Sequence, residues 1–242
     1  MNLDRFEKLI SNLGNLFKEK GFYKDPNSFE IDLFGSFLNF HSQALIITSR
    51  LEEDIDEFES FNKIILKHIQ KKGEIPKTEI EKYSLALPKI MLDLSDFYIY
   101  TKIFLDTLPV CIKRSFKSAG NKNWHIINIR KKTSINGLLN KDQMERYKSA
   151  IDFDFFENLG KKLIWIDDFR KTRNGLLHRF YHFVFTTTRQ GDLGYDISDS
   201  IKTSLGTDTV KGILPDLQHI IDRLTDLIEY LLTNLPLRVE DS

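Results

Sequence analysis

Residues 28–70 read SFEIDLFGSFLNFHSQALIITSRLEEDIDEFESFNKIILKHIQ, and this stretch decides the fold class. Its apolar side chains recur every three or four residues, which is the period of one buried helix face. They are Ile31, Phe34, Phe37, Leu38, Leu45, Ile46, Leu51, Ile55, Phe58, Ile64 and Ile65. The pattern predicts one bent helix or two consecutive helices.

A break and a second long helix follow. Residues 71–76, KKGEIP, contain a glycine and a proline and predict an interruption. The second helix is predicted from Thr78, whose hydroxyl suits a helix cap, toward Ser115. Pro88 and Pro109 lie inside that segment. Because proline lacks the amide hydrogen needed in a helix interior, both predict kinks or helix boundaries.

The middle of the chain alternates between loops and helices. Residues 117–137 lack a helical period and predict a loop with one small strand. Asn140, with Gln143 three residues later, resembles a capping box for a helix that starts near Lys141. Gly160 is expected to interrupt that helix, since glycine is a poor helix former.

The last third contains two further helices with an irregular segment between them. One helix is predicted over 161–183. Residues 183–198, FVFTTTRQGDLGYDIS, have turn chemistry at 190–192 and predict a weak hairpin or an irregular loop. Pro215 suits the first turn of a last helix that runs through Leu232. The predicted buried face of this helix holds Leu217, Ile220, Ile221, Leu224, Leu227, Ile228 and Leu231.

Together these segments predict an all-α helical bundle with long N-terminal helices and a small hairpin or irregular loop before the last helix. Buried strands do not alternate with the helices, which disfavours a parallel α/β fold. Residues 1–76 are interpreted as an N-terminal helical elaboration packed on a helical domain at 77–242. One continuous domain over 1–242 is the alternative.

Composition limits the function further. Lys and Arg number 35, Asp and Glu number 35, and the formal net charge is zero. The single cysteine, Cys111, cannot form an intramolecular disulfide or a Cys-based zinc cage, and it is interpreted as a buried small hydrophobe. No apolar run approaches the length of a membrane span, and the first 14 residues form an amphipathic pattern without a signal-peptide core. A cytoplasmic protein without membrane contact is therefore expected.

The segment at 161–183, KKLIWIDDFRKTRNGLLHRFYHF, carries the most chemical information. On an ideal helix its apolar side takes Trp165, Ile166, Phe169, Leu176, Leu177 and Phe180. Its polar side takes Asp167, Arg170, Lys171, Asn174, His178 and His182. Arg173 falls inside the apolar arc, where an unpaired charge costs several kcal/mol. An arginine at this position requires a partner or a function.

Two accounts of Arg173 are open. The structural account is an ion pair with an acidic residue of a neighbouring helix, such as Asp93, Asp96 or Asp106. The functional account is an anion-binding group, because the planar guanidinium donates bidentately to phosphate oxygens. Asn174 and His178 favour the functional account, since an i,i+4 pair lets the amide orient the imidazole, which can act as a general acid or base.

Residues 173–178, RNGLLH, resemble the R-N-x-x-x-H form of the R-x(4–6)-H motif of HEPN domains, and the preceding WIDDF at 165–169 is similar to that superfamily as well. The resemblance covers about 77–236. It implies an α-helical bundle, a homodimer, and a metal-independent endoribonuclease of a toxin–antitoxin or antiphage-defence system. Arg173, Asn174 and His178 would then be the catalytic residues, and no metal or other cofactor would be needed.

The mechanism that the resemblance implies is attack on the phosphodiester by the 2′-hydroxyl of the RNA itself. His178 would move the proton, and Arg173 would stabilise the charge on the phosphorane oxygens. Further basic and imidazole groups of the same segment are interpreted as substrate-binding residues: Arg170, Lys171, Arg179 and His182. The implied partners are RNA, a second copy of the chain, and an antitoxin or defence protein.

The distribution of charge is compatible with RNA, although the total is neutral. Residues 161–190 contain seven Lys/Arg against two Asp, and residues 111–150 contain ten Lys/Arg against two acidic residues. An acidic run at 52–59 offsets them. Local basic surfaces attract phosphates whatever the total charge is. Within the basic loop, Trp124 and His125 are candidates to stack on a base, and the alternative for Trp124 is packing of the loop itself.

Two other functions are open on the sequence alone. The first is a HEPN-like module without catalysis that binds nucleotide, RNA or protein. The second is an unrelated helical protein in which Arg173 forms a structural ion pair.

Overall fold

A computed structural model describes residues 29–71, 73–127, 134–178, 184–187, 193–196 and 211–236, together with the single positions Ser11 and Asn15. The fold is all-α, as predicted. Among the described helices, none combines the length and the apolar character that a membrane span requires.

Two long helices form the first half. Helix α1 spans Phe29–Gln70 and helix α2 spans Lys77–Ser118, each with 42 residues. The one-helix alternative for 28–70 and the break after it are therefore confirmed. The prediction that Pro88 and Pro109 form helix boundaries is wrong, because α2 continues through both of them. Of the residues predicted to form the apolar face of α1, Ile46 is 52% exposed, whereas Leu51 is fully buried.

Helix α2 ends in a glycine turn. Gly120 has a φ of 75°, a conformation that costs an L side chain energy and glycine little. The amide of Gly120 donates to the carbonyl of Lys117 at 3.0 Å, and the amide of Asn121 donates to the carbonyl of Phe116 at 3.0 Å. These two bonds form a Schellman motif, which satisfies the last carbonyls of the helix.

Four shorter helices follow a single-turn 3-10 helix at Trp124–Ile126. They are α3 (Ser134–Leu139), α4 (Lys141–Ala150), α5 (Phe153–Leu163) and α6 (Ile166–His178). The cap at Asn140 is confirmed, since its Oδ1 accepts the Gln143 amide at 3.1 Å. The single helix over 161–183 is wrong, because a turn at 164–165 separates α5 from α6. The interruption expected at Gly160 is wrong as well, since α5 continues through it.

A small sheet precedes the last helix. Strands β1 (Val184–Thr187), β2 (Leu193–Asp196) and β3 (Lys211–Gly212) pair antiparallel in the order β1-β2-β3. The predicted hairpin is thus confirmed. Helix α7 spans Ile213–Asn234 with Pro215 in its first turn, and all seven residues of its predicted apolar face are buried.

The chain divides into two compact units. One comprises Met1–His41, Thr101–Asp167 and Ile220–Ser242; the other comprises Ser42–Tyr100 and Asp168–His219. The first is called unit 1 and the second unit 2. Both contain residues from either side of Pro76, and the division into 1–76 and 77–242 stays a prediction.

The core of unit 1 is aromatic. The Phe116 ring of α2 stacks on Phe156 of α5 at 5.6 Å between centroids, and Tyr147 of α4 contacts the same ring at 5.2 Å. From α7, the Tyr230 hydroxyl donates to the Phe155 carbonyl of α5 at 2.7 Å. Burial raises the pKa of Tyr230 to about 12, with Asp152 and Asp154 as further causes. Cys111 is buried, as expected.

Unit 1 also buries a histidine, from which a pH dependence follows. His41 of α1 is 2% exposed, its ring centroid lies 6.3 Å from that of Phe37, and burial lowers its pKa from 6.5 to about 4. Above pH 6.5 the imidazole is neutral in both the folded and the unfolded chain, so it adds no pH dependence there. As the pH falls from 6.5 to 4, the unfolded chain binds the proton while the folded chain does not, so the free energy of unfolding decreases.

We expect His41→Gln to reduce the loss of stability on acidification. From pH 7.5 to pH 5.0, the free energy of unfolding should fall by about 2 kcal/mol more in the wild type than in the variant. Urea unfolding followed by circular dichroism at both pH values measures this difference. His219→Gln, an exchange at an exposed position of α7, serves as the control. Equal losses in wild type and His41→Gln would contradict the prediction.

Candidate functional site

Helix α6 is partly buried, and its residues from Asp168 onward, which include the predicted motif, belong to unit 2. Its buried positions are Ile166, Phe169, Thr172, Gly175 and Leu176. Phe169 stacks on Tyr98 of α2 at 5.2 Å, with 24° between the rings. The Thr172 hydroxyl donates to the Asp168 carbonyl one turn earlier at 3.2 Å, which satisfies a fully buried polar group within the helix.

Arg173 lies at the border of this buried face. Its position is half-buried, between the buried Phe169 four residues before it and the buried Leu176 three residues after it. Its Nη2 donates to Oδ1 of Asn174 at 2.7 Å, and Asn174 itself is exposed. Since the amide oxygen of Asn174 accepts from Arg173, the amide nitrogen remains the group with which Asn174 can donate to a ligand. The structure therefore brings together two of the three predicted catalytic residues.

The third residue, His178, is the last residue of α6. It lies four residues after Asn174, which places both residues on one face of the helix. The side chain of His178 lies outside the described residues. Among the predicted substrate-binding residues, Arg170 is half-buried and Lys171 is exposed, while Arg179 and His182 lie outside the described residues.

Two of the acidic residues considered as partners of Arg173 bind other cations. Asp93 accepts from Arg50 of α1 in a bidentate pair, with 3.2 Å between Nε and Oδ2. Asp106 forms an ion pair with Lys102 one helical turn earlier. Asp93 is 6% exposed. Asp93, which the sequence offered as a partner for Arg173, therefore connects α2 to α1.

Removing the Arg50 side chain tests how much the ion pair between Arg50 and Asp93 contributes to the stability of the fold. Arg50→Ala leaves the Asp93 carboxylate buried without its bidentate partner, and we expect the free energy of unfolding to fall by about 2 kcal/mol. Urea unfolding measures the loss. Lys89→Ala is the matched control, because Lys89 of α2 pairs with α1 carboxylates that are less buried than Asp93: Glu57 at 3.5 Å, which is 43% exposed, and Asp54 at 3.8 Å, which is 17% exposed. A loss as large in the control would contradict the expected difference between buried and exposed pairs.

Sequence reasoning missed the hydrogen bond that holds Tyr98, the α2 residue on which Phe169 of α6 stacks. Tyr98 is fully buried, and its hydroxyl donates to Oδ2 of Asp216 at 2.8 Å, 118 positions away in sequence. One face of Tyr98 therefore supports α6 through Phe169, while its hydroxyl holds the first turn of α7. An aromatic residue in a helix interior gave no signal of this role.

The basic segment at 111–150 is partly neutralised within unit 1. Lys148 pairs with Glu145 and Glu157, and hydrogen bonds to these carboxylates raise its pKa. The ammonium groups of Lys113 and Lys117 lie 5.2 and 5.1 Å from the centroid of the half-buried Trp124 ring. These contacts favour the interpretation of Trp124 as a packing residue, whereas His125 is exposed.

Comparisons with protein-family models, with curated proteins and with solved structures returned no match to this chain.

Proposed function

We propose that the chain is a metal-independent endoribonuclease of HEPN type, with Arg173 and His178 as its catalytic pair and Asn174 as the polar residue that positions them. One observation carries the proposal: Arg173 donates to Asn174 at 2.7 Å on the helix that ends at His178. The guanidinium and the amide are thus held together at the edge of a buried helix face, one turn before a group that can transfer protons.

Each group has a distinct task in the proposed reaction. His178 removes the proton from the 2′-hydroxyl of the RNA or supplies a proton to the leaving 5′-oxygen. Arg173 donates to the phosphate oxygens, on which negative charge accumulates in the transition state. Asn174 acts as a positioning residue, since its amide accepts from Arg173. The bond that forms joins the 2′-oxygen to phosphorus, and the bond that breaks joins phosphorus to the 5′-oxygen.

The proposal includes the substrate and the setting. Arg170, Lys171, Arg179 and His182 would contact the RNA backbone beside the motif. Two copies of the motif would form a cleft in a homodimer, and the biological role would be that of a toxin or an antiphage-defence component with a cognate partner protein. The cytoplasm is the proposed location, since RNA is the substrate.

Incubation of the purified chain with mixed cellular RNA in the presence of EDTA tests the function. We expect cleavage to persist with the chelator and to leave 2′,3′-cyclic phosphate ends, because the 2′-hydroxyl is the nucleophile. Cleavage that disappears with EDTA would contradict a metal-independent mechanism. RNA binding without cleavage would contradict the proposed endoribonuclease activity and support the alternative of a non-catalytic HEPN-like module.

A further inference from the structure

A group of cations surrounds the chain reversal at the end of α2, in unit 1. Residues 107–127 contain Lys113, Arg114, Lys117 and Lys122 but no Asp or Glu. Lys117 and Lys122 are exposed, and Lys113 is half-buried. In the described part of the chain, none of the three lysines forms an ion pair with a carboxylate. This distinguishes them from Lys148, which has two carboxylate partners.

The chain reversal places Trp124 against two of these lysines. The positive φ of Gly120 turns the chain back, and Oδ1 of Asn121 accepts from the Asn123 amide at 2.8 Å. Nδ2 of Asn123 donates to the Ala150 carbonyl at 2.7 Å, which fixes the turn to the end of α4. These bonds hold the 3-10 helix in place, so that the Trp124 ring contacts the last turns of α2.

The Trp124 ring gathers the ammonium groups of Lys113 and Lys117. The two lysines are four residues apart on α2, and both ammonium groups lie within 5.2 Å of the ring centroid. The negative face of an indole attracts cations, and this attraction offsets part of the repulsion between the two lysines. Since a contact with a ring needs no oxygen acceptor, each ammonium group keeps donors for the oxygens of a ligand. Trp124 is therefore a packing residue that also serves as a platform for a pair of cations.

His125 adds an imidazole beside the lysine pair. Its ring centroid lies 6.3 Å from that of Trp124, with 85° between the rings. Its Nδ1 donates to the Lys122 carbonyl at 3.1 Å. Because a carbonyl oxygen can only accept, Nδ1 carries the hydrogen and Nε2 is left for a ligand. His125 is exposed, and an exposed imidazole can stack on an unpaired base.

We propose that this surface binds the phosphate backbone of single-stranded RNA. It comprises Lys113, Lys117, Lys122 and His125 on the Trp124 platform, and it is called the α2 basic corner. Positions four residues apart are separated by about 6 Å along a helix axis, so the cations are spread along a line and suit a chain that carries a charge at every nucleotide. The choice of RNA as the polyanion rests on the proposed function, whereas the corner itself uses no residue of α6.

Binding to a labelled single-stranded 2′-O-methyl RNA tests the α2 basic corner, because this probe lacks the proposed nucleophile and is not cleaved. Lys113→Gln/Lys117→Gln should bind the probe about tenfold more weakly than the wild type at low salt. The dependence of log affinity on log salt concentration should become less steep by about 1.4, since each phosphate contact on a single strand contributes about 0.7 to the slope. Fluorescence anisotropy at several salt concentrations measures both quantities.

Lys63→Gln/Lys67→Gln is the matched control, because these exposed lysines are also four residues apart on one helix, α1, and the net charge changes equally. It should keep the affinity and the slope of the wild type. Lys113→Arg/Lys117→Arg keeps both charges and should keep most of the affinity. No binding by the wild type, wild-type affinity in Lys113→Gln/Lys117→Gln, or the same loss in the control would overturn the proposal. Competition by poly-glutamate as strong as that by unlabelled RNA at equal charge would overturn it as well, because the ligand would then be an acidic protein.

Cleavage of unmodified RNA separates this proposal from the proposed function. Lys113→Gln/Lys117→Gln should raise KM for RNA by about tenfold and leave kcat unchanged, since the α2 basic corner contacts the backbone and not the reacting atoms. If the wild type cleaves RNA and this variant binds and cleaves as the wild type does, the corner is wrong and the endoribonuclease stands. If the wild type binds the probe through these lysines but cleaves no RNA, the endoribonuclease is wrong and the corner stands.

Discussion

Replacing His178 by alanine should reduce RNA cleavage by about 10²–10⁴-fold, because the proton transfer that a positioned imidazole provides would be lost. Arg173→Ala should reduce cleavage by about 10²–10³-fold, since it removes the donor to the charged phosphate oxygens. Initial rates on a defined single-stranded RNA, measured in EDTA, give both values. The variants are purified identically to the wild type, so a contaminating nuclease would appear as activity that does not change among them.

Two further variants separate catalysis from structure. His219→Ala changes an exposed histidine of α7 and should leave the rate unchanged. Arg173→Lys keeps the charge but loses the planar fork, and its rate should lie between those of the wild type and Arg173→Ala. If Arg173→Ala lowers the free energy of unfolding by several kcal/mol while the rate per folded molecule is unchanged, Arg173 is a structural residue and the proposed mechanism is wrong.

Replacing Phe156 by alanine should lower the free energy of unfolding by about 3–5 kcal/mol. This ring is fully buried and contacts three aromatic neighbours in unit 1: Phe116 at 5.6 Å, Tyr147 at 5.2 Å and Phe155 at 5.0 Å. Its removal leaves a cavity that rigid rings cannot fill, so the loss exceeds the transfer free energy of the missing atoms. Urea unfolding followed by circular dichroism measures the change, and the unfolding temperature should fall by about 10 °C.

The matched control lies on the same helix. Phe153 is 59% exposed, and its ring lies 5.8 Å from the Lys148 ammonium group. Phe153→Ala removes the same atoms from α5 but leaves no buried cavity, so we expect a loss below about 1 kcal/mol. Similar losses in the two variants would contradict the assignment of Phe156 to the core.

The local features of the fold were predictable because they depend on neighbours in sequence. The Asn140 cap needs only the amide of Gln143, and the buried face of α7 follows from its apolar spacing. The errors arose where packing overrides local preference. Proline normally disfavours a helix interior, yet α2 continues through Pro88 and Pro109. The turn at 164–165 carries neither glycine nor proline.

For the candidate site, sequence supplied the residues and structure supplied their surroundings. The spacing within RNGLLH places Asn174 and His178 on one face of a helix and Arg173 next to Asn174, since helix geometry is fixed. That Asn174 accepts from Arg173, and that Asp93 binds Arg50 instead, depends on which side chains meet in space. No pattern in the sequence identifies Arg50 among 35 basic residues as the partner of Asp93.

The sequence by itself determined the all-α class, the positions of the long helices and the motif on α6, because periodicity and capping are local properties of the chain. Only the tertiary structure decided which apolar faces are covered. Leu94 is fully buried and Leu92, two residues earlier, is 64% exposed, although both are leucines in the same helix. Burial depends on elements distant in sequence, as the bond between Tyr98 and Asp216 illustrates. Which leucines of α2 stay exposed is therefore known only after the chain has folded.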